Sequence, residues 1–237
     1  MAESKPKRRW WFSLRTQLVA SLTLLVAMGW FTVKMRQADP RRNAVEAIRK
    51  AGGYVLHDYG GSTVPPRWLT NWIGHEFFTD VIEVRFYCPE EIGDVDVEVV
   101  VQHTKGKVHI SSLDLGGTEV TDTSLQRIEA LTTLETLKLS ATQITGAGLE
   151  HLKGLVNLEE LALAATEVND AGLSNLQGLT NLQRLDIRGT HVTNAGLNHL
   201  KSLGSLEVLD LYSTPVTEEG IEGLRKALPQ CYIDDQS

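Results

Sequence analysis

Cysteine is nearly absent: Cys88 and Cys231 are the only two in 237 residues. They lie near opposite ends of the repeat array described below, and a disulfide needs Cα atoms within roughly 7 Å. No disulfide-stapled scaffold is implied, and both read as small apolar packing residues. Basic residues are scarce beyond the first fifth of the chain. Residues 1–50 hold 11 Lys+Arg against 3 Asp+Glu, which leaves 12 against 27 for residues 51–237 (23 − 11 and 30 − 3). An acidic body argues against nucleic acid as a partner, because phosphate binding gathers Lys and Arg on one face. The chain has no GxxxxGK[ST], GxGxxG or GxSxG motif, which removes the usual signals for nucleotide binding and for a nucleophilic serine. Its seven histidines show no zinc-ligand spacing. Neither a cofactor nor a metal is expected, and the chain reads as non-catalytic.

What is present begins with a leader. Five bases (Lys5, Lys7, Arg8, Arg9, Arg15) precede the uncharged run TQLVASLTLLVAMGWFTV at residues 16–33, which Lys34 and Arg36 close. Eighteen helical residues would span roughly 27 Å, close to a bilayer's hydrocarbon core. Trp10, Trp11, Trp30 and Phe31 flank the run as an interfacial belt would. Residues 1–15 are thus expected to be a basic cytoplasmic tail and 16–33 a transmembrane signal anchor that contacts the lipid bilayer. The rival is a cleaved signal peptide. Its nearest small-x-small site, Ala27-Met28-Gly29, falls inside the run and is followed by Trp30-Phe31. The basic tail favours a cytoplasmic N-terminus, and a long downstream domain crosses with little regard to its charge. The expected location is the cytoplasmic membrane, with the body on the periplasmic or extracellular side.

Residues 34–107 read as a linker and a small α/β cap. The spacing predicts a short helix over 40–53, started at Pro40 and stopped at Gly52-Gly53, with Ala44, Val45, Ala47 and Ile48 as its apolar stripe. Strands are predicted at 54–59 and 81–86, and a helix over 67–78 that carries Trp68 and Trp72 as core. Val84 and Phe86 stand in for a first strand pair, and 94–107 would be an irregular first return segment.

From 108 to 237 one pattern dominates, with a period of 24. The pairs Leu113/Leu115, Leu137/Leu139, Leu161/Leu163, Leu185/Ile187 and Leu209/Leu211 recur without a slip. Three residues after each pair stands Thr118, Thr142, Thr166, Thr190 or Thr214. The unit LxxLxLxxT resembles the leucine-rich repeat. That resemblance implies an α/β right-handed solenoid of five repeats plus a C-terminal cap, with a parallel sheet on its concave face. No unit can bury its apolar edge alone, but stacked units share a continuous core. The threonine position, normally Asn or Cys in this repeat, is expected to form a buried structural ladder of hydroxyls. The segments TDTSL, TGAGL, NDAGL, TNAGL and TEEGI carry a helix cap (Thr121, Thr145, Asn169, Thr193, Thr217) and a small residue that lets successive turns approach.

Side chains that flank the strand leucines point to the opposite face. They form three rows, of which the middle one runs Asp114, Lys138, Ala162, Asp186, Asp210. Candidate partner-binding residues are Lys138, Glu160, Arg184, Asp186, Arg188, Asp210 and Tyr212, since Tyr and Arg are favoured anchors. Taken whole, the leader, the NAVEAIRKAGGYVLHDY segment, the PPRWL…GHEFF…VIEV cap, the repeats and the LPQC ending resemble the membrane-anchored leucine-rich-repeat proteins of planctomycete bacteria. That resemblance implies a single-pass protein with an exported solenoid and no established activity. The repeats also resemble those of F-box substrate-recognition proteins, but an anchor stands where the F-box would be. The expected function is a membrane-anchored binding module for a protein or peptide. The alternatives are a structural envelope spacer and, behind it, an enzyme accessory subunit.

Overall fold

A computed structural model describes residues 14–58, 66–67, 70–71, 81–86, 91–106 and 108–235. Eight strands form one sheet in chain order, β1 (Gly53–Asp58), β2 (Val81–Phe86), β3 (His109–Asp114), β4 (Thr136–Lys138), β5 (Glu160–Ala162), β6 (Arg184–Asp186), β7 (Val208–Asp210) and β8 (Tyr232–Asp234). From β2 onward every pair is parallel, with Leu113, Leu137, Leu161, Leu185, Leu209 and Ile233 in one register line. The fold is therefore a leucine-rich-repeat solenoid of α/β class. β1, expected as a cap strand of unassigned direction, pairs antiparallel with β2 from Gly53 opposite Phe86 to Asp58 opposite Val81. Val84 pairs with Leu113, the expected 29-residue offset, and the odd length is absorbed by a register shift at Ile82/Glu83.

The strand pairs build the core because both of their leucines point the same way. Leu137, Leu139, Leu161, Leu163 and Leu209 are completely buried. Opposite them pack the return segments, which shorten in mid-array. They are α2 (Asp94–Thr104), α3 (Asp122–Ile128), a 3-10 turn (Gly148–Leu152), α4 (Asp170–Leu173) running into a second 3-10 turn (Ser174–Leu176), α5 (Asn194–Leu200) and α6 (Glu218–Ala227). The first return segment is thus a regular eleven-residue helix rather than an irregular one. Val97, Val100 and Val101 recur on its buried side, and that periodicity suffices to hold it.

The N-terminal end of the stack is closed by α1 (Leu14–Lys50). The backbone stays helical across Pro40, so the separate helix expected over 40–53 is the last part of this longer one. Ala44, Val45 and Ile48 are buried among the core residues, and Gly52 at φ +79° ends the element in the left-handed region where glycine is favoured. The expected transmembrane span 16–33 lies within α1. Val19, Leu22, Leu24, Leu25 and Val26 are exposed on it, whereas the side chains of Thr16, Gln17, Leu18, Ala20 and Thr32 lie outside the described residues. Among the described residues, no helix is long and apolar enough to cross a membrane. α1 continues past Lys34 into the charged stretch that contains Arg42, Glu46, Arg49 and Lys50. Trp68, Trp72, Cys88 and most of the helix expected over 67–78 lie outside the described residues. Cys231 packs partly buried against the core, and burial pushes its thiol up to about 11.

A candidate binding wall on the open sheet face

Side chains that alternate with the buried leucines stand on the sheet face turned away from the return segments. The pairing places Ser112, Thr136, Glu160, Arg184, Val208 and Tyr232 in one line. A second line holds Asp114, Lys138, Ala162, Asp186, Asp210 and Asp234. All of them are half-buried or exposed. Tyr232 and Asp234 were missed in the sequence reading, although they fall 24 residues after Val208 and Asp210 and simply extend the rows. At the other end, the rows begin on β2 with Glu83 and Arg85, where Glu83 pairs with Ser112 and Arg85 with Asp114.

Charge on this wall is partly self-paired. Arg85 lies 2.7 Å from Glu83 and 3.9 Å from Asp114. Lys138 Nζ lies 3.4 Å from Glu160. The tightest pair is a fork in which Arg188 Nε donates to Asp186 Oδ1 at 2.9 Å and Nη2 to Oδ2 at 2.7 Å. That hydrogen bonding and the Asp186 charge hold the Arg188 guanidinium above its usual range. Asp210 sits in the opposite situation. Burial and then the neighbouring Asp186 push its carboxyl above the usual carboxylate range; Arg188 pulls it down and Asp234 pushes it up further. Among the described residues, the Asp210 carboxylate has neither a hydrogen bond nor an ion pair. Over Ala162 the row is low, leaving a hollow of 140 Å³ bordered by Glu160, Arg184, Asp186, Val208 and Asp210. Tyr212, on the same strand side as Asp210, is about half exposed at 49%.

The wall is held from behind by two side-chain ladders. In the first, each threonine hydroxyl donates to the carbonyl three residues earlier. Thr118, Thr142 and Thr166 do so at 2.6 Å, to Leu115, Leu139 and Leu163. Thr190 and Thr214 do so at 2.7 Å, to Ile187 and Leu211. Four of these threonines are buried; Thr214, at the open end of the stack, is only half-buried. The second ladder was invisible in the sequence reading. Asp122 accepts from Thr145 N at 2.9 Å and Thr145 Oγ1 at 2.6 Å, one repeat later. Asp170 accepts in the same way from Thr193, at 2.7 Å for both bonds. Asp94 accepts from Thr121 and from Ser124 Oγ. Burial pushes the Asp94 carboxyl up, but hydrogen bonds from Ser124 and Thr121 outweigh it and leave it below the usual range. These acids look from sequence like ordinary first-turn residues, and their partners are 23 to 30 residues away. Thr121, Thr145 and Thr193 also accept from backbone N–H groups two residues on, at 3.2 Å each.

A second concavity of 310 Å³ lies where the strands begin, lined by His109, Ser111, Glu135, Asn157, Glu159 and Asn181 among others. Asn157 and Asn181 donate from Nδ2 to the carbonyls of Thr132 and Val156 at 2.9 Å, so their amides tie one repeat to the next. No group of three or more His, Cys, Asp or Glu side chains among the described residues could hold a metal ion.

The architecture is a leucine-rich-repeat solenoid. Residues 130–153 and 178–201 match the family described as Leucine Rich repeat, two segments of one repeat length each and two repeats apart. No curated protein matches the chain. Among solved structures, the chain is similar to an internalin of Listeria monocytogenes (21% identity, TM-score 0.49), over 60% of this chain and 37% of that one. It is also similar to a second internalin of the same organism (18% identity, TM-score 0.47), over 83% of this chain and 94% of that one. A leucine-rich-repeat protein of Leptospira interrogans is similar at 21% identity and TM-score 0.40, over 59% of this chain and 39% of that one. The chain thus spans little more than a third of the first of these structures.

Proposed function

We propose that this protein is a non-catalytic, membrane-anchored binding module whose open sheet face receives a protein or peptide. The observation that carries this reading is the state of that face. Seven strands, β2 to β8, present a wall of half-buried and exposed, mostly polar side chains, and its later repeats carry Arg184, Arg188 and Tyr212, residue types that serve as binding anchors. Lys138, Glu160, Asp186 and Asp210 contribute to the same wall, and the hydroxyl ladder from Thr118 to Thr214 fixes the turn that follows each of its strands.

The anchor is residues 16–33. Support comes from the uncharged run bounded by bases on both sides and from the exposed Leu22, Leu24, Leu25 and Val26 on α1. In this reading the basic tail 1–15 is cytoplasmic, the cap and degenerate first repeat occupy 34–107, and the repeat domain of 108–237 lies outside the cytoplasmic membrane. Expression of the full chain with a protease-accessibility assay on intact cells tests the topology; protection of the repeats from external protease contradicts it. Capture from detergent extracts tests the function. The wild-type chain should retain a stoichiometric protein, and replacement of Arg184, Arg188 and Tyr212 by Ala should release it at an unchanged melting temperature. Retention by the triple variant contradicts this wall. Recovery of only more copies of the chain itself favours a spacer.

A further inference from the structure

One continuous helix joins the exposed apolar run to the core of the solenoid. α1 stays helical from Leu14 to Lys50, but its two halves differ in pattern. In the first half, Val19, Leu22, Leu24, Leu25, Met28 and Trp30 are each 59–65% exposed. At 3.6 residues per turn, these positions spread over about two thirds of the helix circumference. Such a surface suits lipid, whereas a groove or a partner helix would ask for one stripe. In the second half, Ala44, Val45 and Ile48 fall on one side within about 100° and are buried at the end of the stack. The joint to the repeat domain is tight. α1 packs on α2 and on β1. Only Ala51 and Gly52 separate it from β1, and a Cβ on Gly53 would come within 2.6 Å of Ile48 Cγ2. Between the two halves, Pro40 removes one N–H donor from the helix, but the backbone stays helical on either side of it.

We infer that α1 is a rigid stalk that holds the repeat domain at a fixed height above the bilayer, where a flexible linker would let the domain roam. The inference rests on the reading of residues 16–33 as a membrane anchor. Ala44, the first buried contact, follows Val33, the end of the apolar run, by eleven positions. That is about 16 Å of helix. The stalk also bounds the partner. Seven strand spacings separate β1 from β8, each about 4.8 Å. Whichever way the stack points, the far end of the wall lies on the order of 50 Å from the apolar run at most. The protein or peptide that the wall receives must present its bound segment inside that layer.

The test uses the full chain with Cys88→Ser and Cys231→Ala, checked for an unchanged fold and reconstituted in phosphatidylcholine–phosphatidylglycerol vesicles. Spin labels on Leu24→Cys in α1 and Val95→Cys in α2, both exposed positions, should give one narrow distance distribution by pulsed electron resonance. Seven helix-forming residues inserted after Met35 add nearly two turns, and should shift that distance by up to about 10 Å without broadening it. Seven Gly and Ser residues at the same place should broaden it. A broad distribution in the chain without an insert, or an unaltered width with the Gly–Ser insert, overturns the stalk. A fluorescent donor on Val95→Cys should transfer energy to acceptor headgroups, and the helical insert should change the efficiency; equal efficiency overturns the fixed height. The anchor reading fails separately. A chain that does not associate with the vesicles but keeps the narrow distance in detergent refutes the anchor, and the height with it. A chain that inserts and gives a broad distance refutes the stalk and leaves the anchor.

Discussion

Asn169 lies against Gly146, one repeat earlier, so closely that a Cβ on Gly146 would come within 2.5 Å of its Oδ1. In the neighbouring repeats the first of these positions is Asp122, Asp170 or Asn194, and the second is Thr145, Thr193 or Thr217. Where the acid is missing, the larger Asn fills its space and caps its own turn, accepting from Gly172 N at 3.2 Å. The two departures therefore belong together. Gly146→Asp alone should destabilise through the clash, and Asn169→Thr alone through an unfilled gap, each by about 1–2 kcal/mol. The double variant should recover most of that loss by recreating the Asp170–Thr193 arrangement. Chemical denaturation of the four proteins in a double-mutant cycle measures the coupling; additive losses would show the pair to be independent.

The hydroxyl ladder is a stability device. Thr166 is 4% exposed and its hydroxyl donates to Leu163 O. Thr166→Val keeps the volume and leaves that carbonyl short of a donor, at a cost of about 1–3 kcal/mol. Thr166→Ala should cost at least as much. Thermal melts check this, and a wild-type melting temperature in both would remove the ladder from the account. Thr214, half-buried at the end of the stack, should tolerate the same change with a smaller loss.

The residue before each ladder threonine turns through positive φ, at Gly117, Ala141, Ala165, Gly189 and Ser213. Glycine holds that conformation without strain, whereas Ala165 at φ +54° carries a Cβ against the following carbonyl. Ala165 is exposed, so Ala165→Gly removes little packing. It should raise stability by up to about 1 kcal/mol, the relieved strain exceeding the added unfolded-state entropy. A fall in the denaturation midpoint would show that the turn is not strained.

Two aspartates should respond to pH with opposite sign. Asp94 has a lowered pKa in the fold, so its ionised form contributes stability above the ordinary aspartate range, and that contribution is lost as pH falls through the lowered value. Asp210 has a raised pKa, so its ionisation weakens the fold, and the penalty disappears as pH falls through the raised value. At pH 7, Asp94→Asn should melt below the wild type and Asp210→Asn slightly above it. Both differences should shrink on acidification, that of Asp210→Asn first. Melting curves from pH 7 to 3 read this directly, and a lower melting temperature for Asp210→Asn at pH 7 would contradict the unpaired placement.

The repeats were legible because LxL at a fixed period of 24 can be buried only by stacking, which dictates both the parallel register and the alternation onto the open face. The antiparallel β1 was not legible, because period-two alternation is the same in either strand direction. Pro40 reads as a helix start by local rule, yet α1 runs through it. The Asp–Thr ladder escaped because each bond joins consecutive repeats, and position-by-position reading sees only polar residues near a cap. Asp210 was named among the binding candidates, but its lack of a partner followed only once Arg188 was seen to be committed to Asp186.

Contact with a partner through the inner wall is tested most directly by a photoreactive side chain installed in place of Val208, on the wall, and separately in place of Lys201, behind it. Irradiation of intact cells should yield one discrete higher-mass adduct from position 208 and none from position 201. No adduct from 208, or equal adducts from both, would contradict the account.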